Sequence, residues 1–224
     1  MNKSNSNRND KKKLLLDIYK ALYVHFGPQH WWPAKSPFEV VLGAILTQNT
    51  AWSNVEKAIS NLKREKMLSP KEIRNIPVTR LARIIRPSGF YNGKSKKLKN
   101  FVKFLFVSTN GSIKKMRSYD TGALREKLLS VSGIGPETAD SILLYALGKA
   151  IFVVDAYTRR IFSRHGMVSE EASYEDVQKL FMDNLNKKTS FFNEYHALIV
   201  ETGKNYCKKK HPLCGLCPLS AKIR

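Results

Sequence analysis

Apolar side chains recur at helical spacing through most of the chain, and polar or glycine-proline breaks separate the stretches that carry them. Leu15, Ile18, Tyr19, Leu22 and Phe26 keep to one face, so a helix is expected from Leu14 until His25-Phe26-Gly27-Pro28 ends it. Ser36-Pro37 opens a second helix with Phe38, Val41, Leu42 and Ile45 inward, and Thr47-Gln48-Asn49-Thr50 interrupts it. Ala51-Trp52 begins a third through Val55, Ile59 and Leu62. Ser69-Pro70-Lys71-Glu72 reads as a capping box with proline at the first helical position. Leu81, Ile84 and Ile85 give another apolar face, stopped by Arg86-Pro87-Ser88-Gly89, and Leu98, Phe101, Val102 and Leu105 line the helix after it. Amphipathic stretches follow at 173–185 and 192–206. No strand pattern is sustained, which predicts an all-α fold.

One stretch stands apart. Leu124, Leu128 and Leu129 form a helical stripe that stops at Ser132-Gly133-Ile134-Gly135-Pro136, a turn too tight for a β-carbon at both glycine positions. A new helix starts at once, with Pro136 in its first turn and Ala139, Ile142, Leu143 and Ala146 inward. Amides of Gly133, Gly135 and the new helix start would point outward, where they suit a phosphate oxygen; an ordinary αα-hairpin has the same spacing. Downstream, Ile151-Phe152-Val153-Val154 runs apolar into Asp155, which suits a helix N-cap as well as a catalytic carboxylate.

Charge narrows the partners. Lys and Arg number 39 against 18 Asp and Glu, a net +21, which calls for a polyanion: nucleic acid first, an anionic membrane surface second. No apolar run is long enough to span a membrane and no signal peptide is visible, so a soluble, cytoplasmic, nucleoid-associated protein is expected. Residues 1–13, rich in Asn, Ser and Lys, read as a flexible basic arm. The lysines at 94, 96, 97 and 99 could touch phosphates or simply solvate a helix face. The three cysteines fall together at the C-terminal end, unlike a secreted disulfide framework.

The run S-G-I-G-P-E-T-A-D followed by V-V-D-A-Y-T-R-R resembles the helix-hairpin-helix, glycine/proline loop and aspartate of the endonuclease III superfamily of DNA glycosylases. W-W-P-A-K-S-P-F-E-V-V-L-G-A-I-L-T-Q-N-T, and R-P-S-G-F-Y-N after it, resemble the 3-methyladenine glycosylase branch. The likeness runs from Trp31 to the last cysteine. It implies two lobes, a helical barrel at 37–149 and a discontinuous lobe of 14–36 with 150–224, with a cleft that presents the site to one duplex. It also implies that Gly133, Gly135 and Thr138 contact the DNA backbone. Gln48, with Asn49 beside it, would fill the gap left by an extruded nucleotide, although both also suit a helix cap. Trp31, Trp32 and Trp52 would line the base pocket with Glu137 and Lys204. Two adjacent tryptophans, Trp31 and Trp32, cannot both face one core side, so at least one is free to stack; the alternative is that both plug the gap between the lobes.

Cys207-x6-Cys214-x2-Cys217 matches three of the four ligands of that superfamily's iron–sulfur signature; the fourth position is Ile223, which cannot coordinate iron. The expectation is a [4Fe-4S] cluster on three cysteines, with a zinc site completed by His211 as the rival. Either would hold Lys208, Lys209 and Lys210 in a basic loop for phosphate contact.

The chemistry implied is hydrolysis of an N-glycosidic bond, with Asp155 stabilising the positive charge that builds on the sugar. Glu137 stands where bifunctional members carry a nucleophilic lysine, so a monofunctional enzyme acting as a monomer on damaged double-stranded DNA is expected. An aromatic pocket favours a cationic alkylated purine such as 3-methyladenine. A bifunctional glycosylase/lyase and a non-catalytic damaged-DNA-binding module are the alternatives.

Overall fold

The computed structural model describes residues 3–220. No strand occurs among them, and the chain runs through α1 (Lys3–Phe26), α2 (Pro37–Leu46), α3 (Trp52–Arg64), α4 (Pro70–Asn75), α5 (Val78–Ile84), α6 (Tyr91–Thr109), α7 (Ile113–Met116), α8 (Thr121–Leu129), α9 (Pro136–Ser141), α10 (Ala156–Arg164), α11 (Tyr174–Asn184) and α12 (Thr189–Asn205). It divides into two compact units, Met1–Trp31 with Ala150–Arg224, and Trp32–Lys149.

The continuous unit is built around α2, whose residues from Phe38 to Leu46 are all buried and which packs on α3, α6 and α9. A helix buried on every side must be apolar all round, and PFEVVLGAIL nearly is. Its polar member, Glu39, accepts from Lys63 Nζ at 2.6 Å. Ser36 caps the start by accepting from the Glu39 amide. Helices α8 and α9 form the hairpin, braced by a two-bond fork from Arg125 to the fully buried Asp140 at 2.7 and 3.1 Å. Such a pair fixes geometry, because a carboxylate as buried as Asp140 is costly without its partner. After α9 the chain widens into one π-helical turn, Ile142–Ala146.

In the discontinuous unit, α12 packs against α1 and α10. Phe152 stacks on Phe181, centroids 3.7 Å apart, and meets Phe192 and Tyr195 edge-on. Tyr195, fully buried, donates its hydroxyl to the Leu15 carbonyl at 2.8 Å, tying α12 to α1. The extended run 151–154 threads this core, and α11 serves its main chain: Gln178 Nε2 donates to Phe152 O, and the Val154 amide donates to the Tyr174 hydroxyl.

The N-terminal segment differs from expectation. Helix α1 begins at Lys3, not at Leu14, so residues 3–13 are helical; Met1 and Asn2 of the expected arm lie outside the described residues. Burial of Leu15, Ile18 and Leu22 nucleates the helix, after which polar residues extend it at little cost per turn. Side chains 8–13 are exposed, and Arg8 donates to the Asp183 carbonyl at 2.8 Å.

Candidate functional site

The hairpin turn needs only one of its glycines for conformation. Gly133 has φ +94°, and a Cβ there would overlap the stem of Lys97. Gly135 is extended, φ −93° and ψ 178°, and a Cβ there would meet nothing within 4 Å. The expectation that both positions exclude a β-carbon is therefore corrected. What Gly135 leaves is open space at the start of α9, a start that no side chain caps. In the first turn of α9, Thr138 is buried and Glu137 is exposed.

Gln48 is wired to this hairpin. Its Nε2 donates to Thr138 Oγ1 at 2.9 Å and to Gly133 O at 3.2 Å, and its Oε1 accepts from Lys97 Nζ at 2.5 Å. Asn49, exposed beside it, takes the left-handed conformation at φ +53°, which asparagine tolerates better than most residues. Neither side chain caps α2: the α2 cap is Thr47, through its backbone.

The adjacent tryptophans part company, Trp31 in one unit and Trp32 in the other. The Trp32 ring lies over Gly43, where a Cβ would come within 3.0 Å of it, and meets Trp52 edge-on and Tyr145 tilted, each at 5.1 Å. Trp52 Nε1 donates to Glu56 Oε1 at 2.9 Å. Trp32 and Trp52, with Pro33, Glu39, Glu56 and Lys63, line an open cavity of about 310 Å³. Trp31 instead has Lys204 Nζ 5.5 Å from its ring centroid, and Lys204 also pairs with Glu201 at 2.8 Å.

Asp155 caps α10. Its Oδ1 accepts from the Thr158 amide at 2.7 Å and the Thr158 hydroxyl at 2.9 Å. Oδ2 lies 3.7 Å from Nε2 of His196, a residue of α12 only 5 % exposed. Burial pushes the His196 pKa below its ordinary value, and the Asp155 charge opposes that shift without reversing it. The imidazole is thus held towards neutrality beside the carboxylate. Sequence spacing gave no hint of His196, because a lone histidine on an apolar helix face reads as core.

The arginines of α10 are spent on main-chain carbonyls, Arg159 and Arg160 half-buried and Arg164 exposed. Arg159 donates to Ala172 O, Arg160 to Cys207 O and Gly203 O, and Arg164 to Lys208 O, Lys209 O and the Cys207 sulfur. The segment from Cys207 to Lys209 is held by these forks, leaving the Lys208, Lys209 and Lys210 side chains exposed. Cys207 is buried, Cys214 exposed and Cys217 half-buried. Burial raises the Cys217 thiol pKa, a hydrogen bond from the Leu219 amide lowers it, and the charges of Cys207 and Cys214 raise it, so Cys217 lies within the field of both other thiols. Among the described residues, however, no three His, Cys, Asp or Glu side chains converge as a ligand set, His211 included. Ile223, at the fourth position, lies outside the described residues. The donors have the right chemistry for a cluster or zinc but do not fit either as arranged.

The profile of the HhH-GPD superfamily base excision DNA repair proteins matches residues 42–187, spanning both the hairpin and Asp155. The chain belongs to this family. It is 50 % identical over 214 residues to a provisionally named DNA repair glycosylase of Methanocaldococcus jannaschii, covering 95 % of this chain and 96 % of that one. The Helicobacter pylori 3-methyladenine DNA glycosylase, solved bound to 1,N6-ethenoadenine, superposes with a TM-score of 0.74 at 31 % identity, covering 85 % and 97 % of the two chains. A non-covalent endonuclease III–DNA complex superposes with 0.81 at 23 % identity over 95 % of each chain, a likeness of fold. The HhH-GPD glycosylase fold and its endonuclease III-type ancestry, with a 3-methyladenine glycosylase-like branch, are thereby established. Among the described residues, no helix is long and apolar enough to cross a membrane.

Proposed function

We propose that this protein is a monofunctional DNA glycosylase that releases a cationic alkylated purine, such as 3-methyladenine, from double-stranded DNA. The observation that carries the reading is Asp155: a carboxylate with one oxygen committed to its own helix and the other beside a histidine that burial holds towards neutrality.

An alkylated purine already bears positive charge, so it departs as a neutral base and needs no general acid. What the reaction requires is stabilisation of the cation developing at the sugar C1′. As the N-glycosidic bond breaks, its electron pair stays with the base; water adds to C1′, and its proton passes to the carboxylate or to solvent. A protonated neighbour would offset the negative charge this needs, and the lowered pKa of His196 works against that. The electron-rich faces of Trp32 and Trp52 on this cavity favour a cationic ring over a neutral one, while Lys63 there is already paired with Glu39. Similarity to the Helicobacter 3-methyladenine DNA glycosylase supports the same substrate class.

The hairpin would grip the backbone: Gly135 leaves room for a phosphate to approach, and the exposed lysines after Cys207 add sequence-independent attraction. Gln48 would fill the space of the extruded nucleotide. Glu137 cannot form a Schiff base, so no strand cleavage should follow base release. No step of this reading runs through a metal; iron, sulfide and zinc analysis of the purified chain decides what the thiols hold.

The test is base release from duplexes carrying 3-methyladenine, T·G, U·G or an oxidised pyrimidine, each with and without alkali. Release of 3-methyladenine, with strand cuts only after alkali, is expected. Cuts without alkali would overturn the monofunctional reading, and no release from any duplex would overturn the enzyme reading in favour of a binding module.

A further inference from the structure

Three lysines at the start of α6 bond to acceptors within the chain, while Lys96 is exposed. Lys99 donates to the Arg74 and Ile76 carbonyls. Lys94, only 2 % exposed, donates to Leu46 O at 2.8 Å and Ser88 O at 2.7 Å, holding the chain two residues before Gln48. Lys97 lies three residues on, on the same face of α6. Its stem covers Gly133 where a β-carbon would otherwise stand, and its half-buried ammonium holds Gln48 Oε1.

Three contacts therefore fix one amide. Both protons of Gln48 Nε2 are given to the hairpin, and Oε1 takes the lysine. In this arrangement the amide has no donor left to offer an orphaned base; to serve as a plug it must first let go. Resting on the glycosylase reading above, we propose that Lys97 is a positioning residue that stores Gln48 on the hairpin and releases it when a DNA phosphate takes over its ammonium.

The exchange is favourable in direction. An ammonium bonds more strongly to a phosphate oxygen than to a neutral amide carbonyl. Lys94 and Lys97 also repel each other: burial first, then the charge of Lys97, lowers the Lys94 pKa to about 8. An anion arriving beside Lys97 relieves that repulsion. The lysine stem already lies against Gly133, so the ammonium need turn only about its outer bonds to meet a phosphate at the hairpin. Backbone contact and filling of the helix are thus coupled through one side chain, and Gln48 stays stored until a duplex is present.

The test uses the full chain and Lys97→Met, which keeps the stem over Gly133 and removes the charge; Lys97→Arg keeps the cation if the methionine variant folds poorly. The Gln48 side-chain amide is followed by NMR, and affinity for an undamaged duplex is followed against salt. In the wild type, duplex should shift the Gln48 amide signals and collapse their protection from exchange. In Lys97→Met they should already be shifted without DNA, and the slope of log affinity against log salt should fall by about one. Lys97→Arg should respond to duplex as the wild type does. A wild-type Gln48 amide that duplex leaves unmoved, or an unchanged salt slope in Lys97→Met, would overturn the proposal. Neither readout needs base release, so failure of the glycosylase reading and failure of this one are separately visible.

Discussion

Two helix starts in this chain solve the same electrostatic problem in opposite ways. Every α-helix begins with amides that lack partners within the helix. At α10 the chain supplies its own anion, Asp155, whose Oδ1 takes the Thr158 amide. At α9 the first turn carries Glu137, but the cap position itself supplies no anion: Gly135 has no side chain to offer, and the space where a β-carbon would sit is empty. The first start is closed and carries a charge aimed elsewhere through Oδ2; the second is open to an anion from outside. A helix-terminal glycine and a helix-terminal aspartate are ordinary caps when met singly. Within twenty residues of each other, in a family that repairs DNA, they are the two positions to which the proposed function gives the grip on a phosphate and the stabilisation of a sugar cation.

The largest effect is expected at Asp155. Asparagine keeps the cap but loses the charge, so Asp155→Asn should fold with nearly wild-type stability and release 3-methyladenine roughly 10²–10³-fold more slowly. Single-turnover base release with a parallel denaturant titration measures both. Equal loss of stability and rate would return Asp155 to a purely structural role.

The opposite change closes the open start. Gly135→Asp puts a carboxylate where an outside anion would sit, in a backbone conformation any residue adopts. It should raise stability by up to about 1 kcal/mol through cap and dipole. Duplex affinity should fall about tenfold at low salt. A variant that is more stable and binds DNA less well would separate the ligand's use of this helix start from the fold's; unchanged affinity would show that the duplex does not use it.

The smallest effect concerns what stands beside Asp155. Burial lowers the His196 pKa in the folded chain, so below about pH 6.5 the unfolded chain takes up the proton more readily. Stability contributed at this site is present above that range and lost as the pH falls through it. The stability gap between wild type and His196→Asn should therefore narrow from pH 7.5 to pH 5.5 by chemical denaturation. A gap that widens on acidification would mean that the Asp155 contact outweighs burial.

Much of this architecture was legible in the sequence because it rests on local rules. Ser36-Pro37, Ser69-Pro70 and Asp155 each open a helix in the structure, and the break at Gly133 lies at the turn the spacing implied. What stayed hidden depends on where long polar side chains finally reach. Lys94, Lys96, Lys97 and Lys99 read as a solvated or phosphate-touching run; Lys96 is exposed, yet the other three donate to acceptors within the chain. Arg159, Arg160 and Arg164 likewise bind main-chain carbonyls. A flexible stem reaches many acceptors, and spacing along a helix says which face it leaves from, not where its head is satisfied. His196 was hidden for a related reason: its neighbour Asp155 lies far off in sequence and close only once α10 and α12 pack.

The forks from α10 to the C-terminal segment bear on how this segment can vary through evolution. Arg160 and Arg164 seize main-chain carbonyls at Gly203, Cys207, Lys208 and Lys209. A side-chain ligand disappears with a single codon change, whereas a carbonyl survives every substitution made at its own residue. The anchorage of this segment is therefore written in a form that its own mutations cannot erase. The segment has latitude to trade its thiols while keeping its berth, and the vulnerable genes of that berth are the two arginine codons of α10.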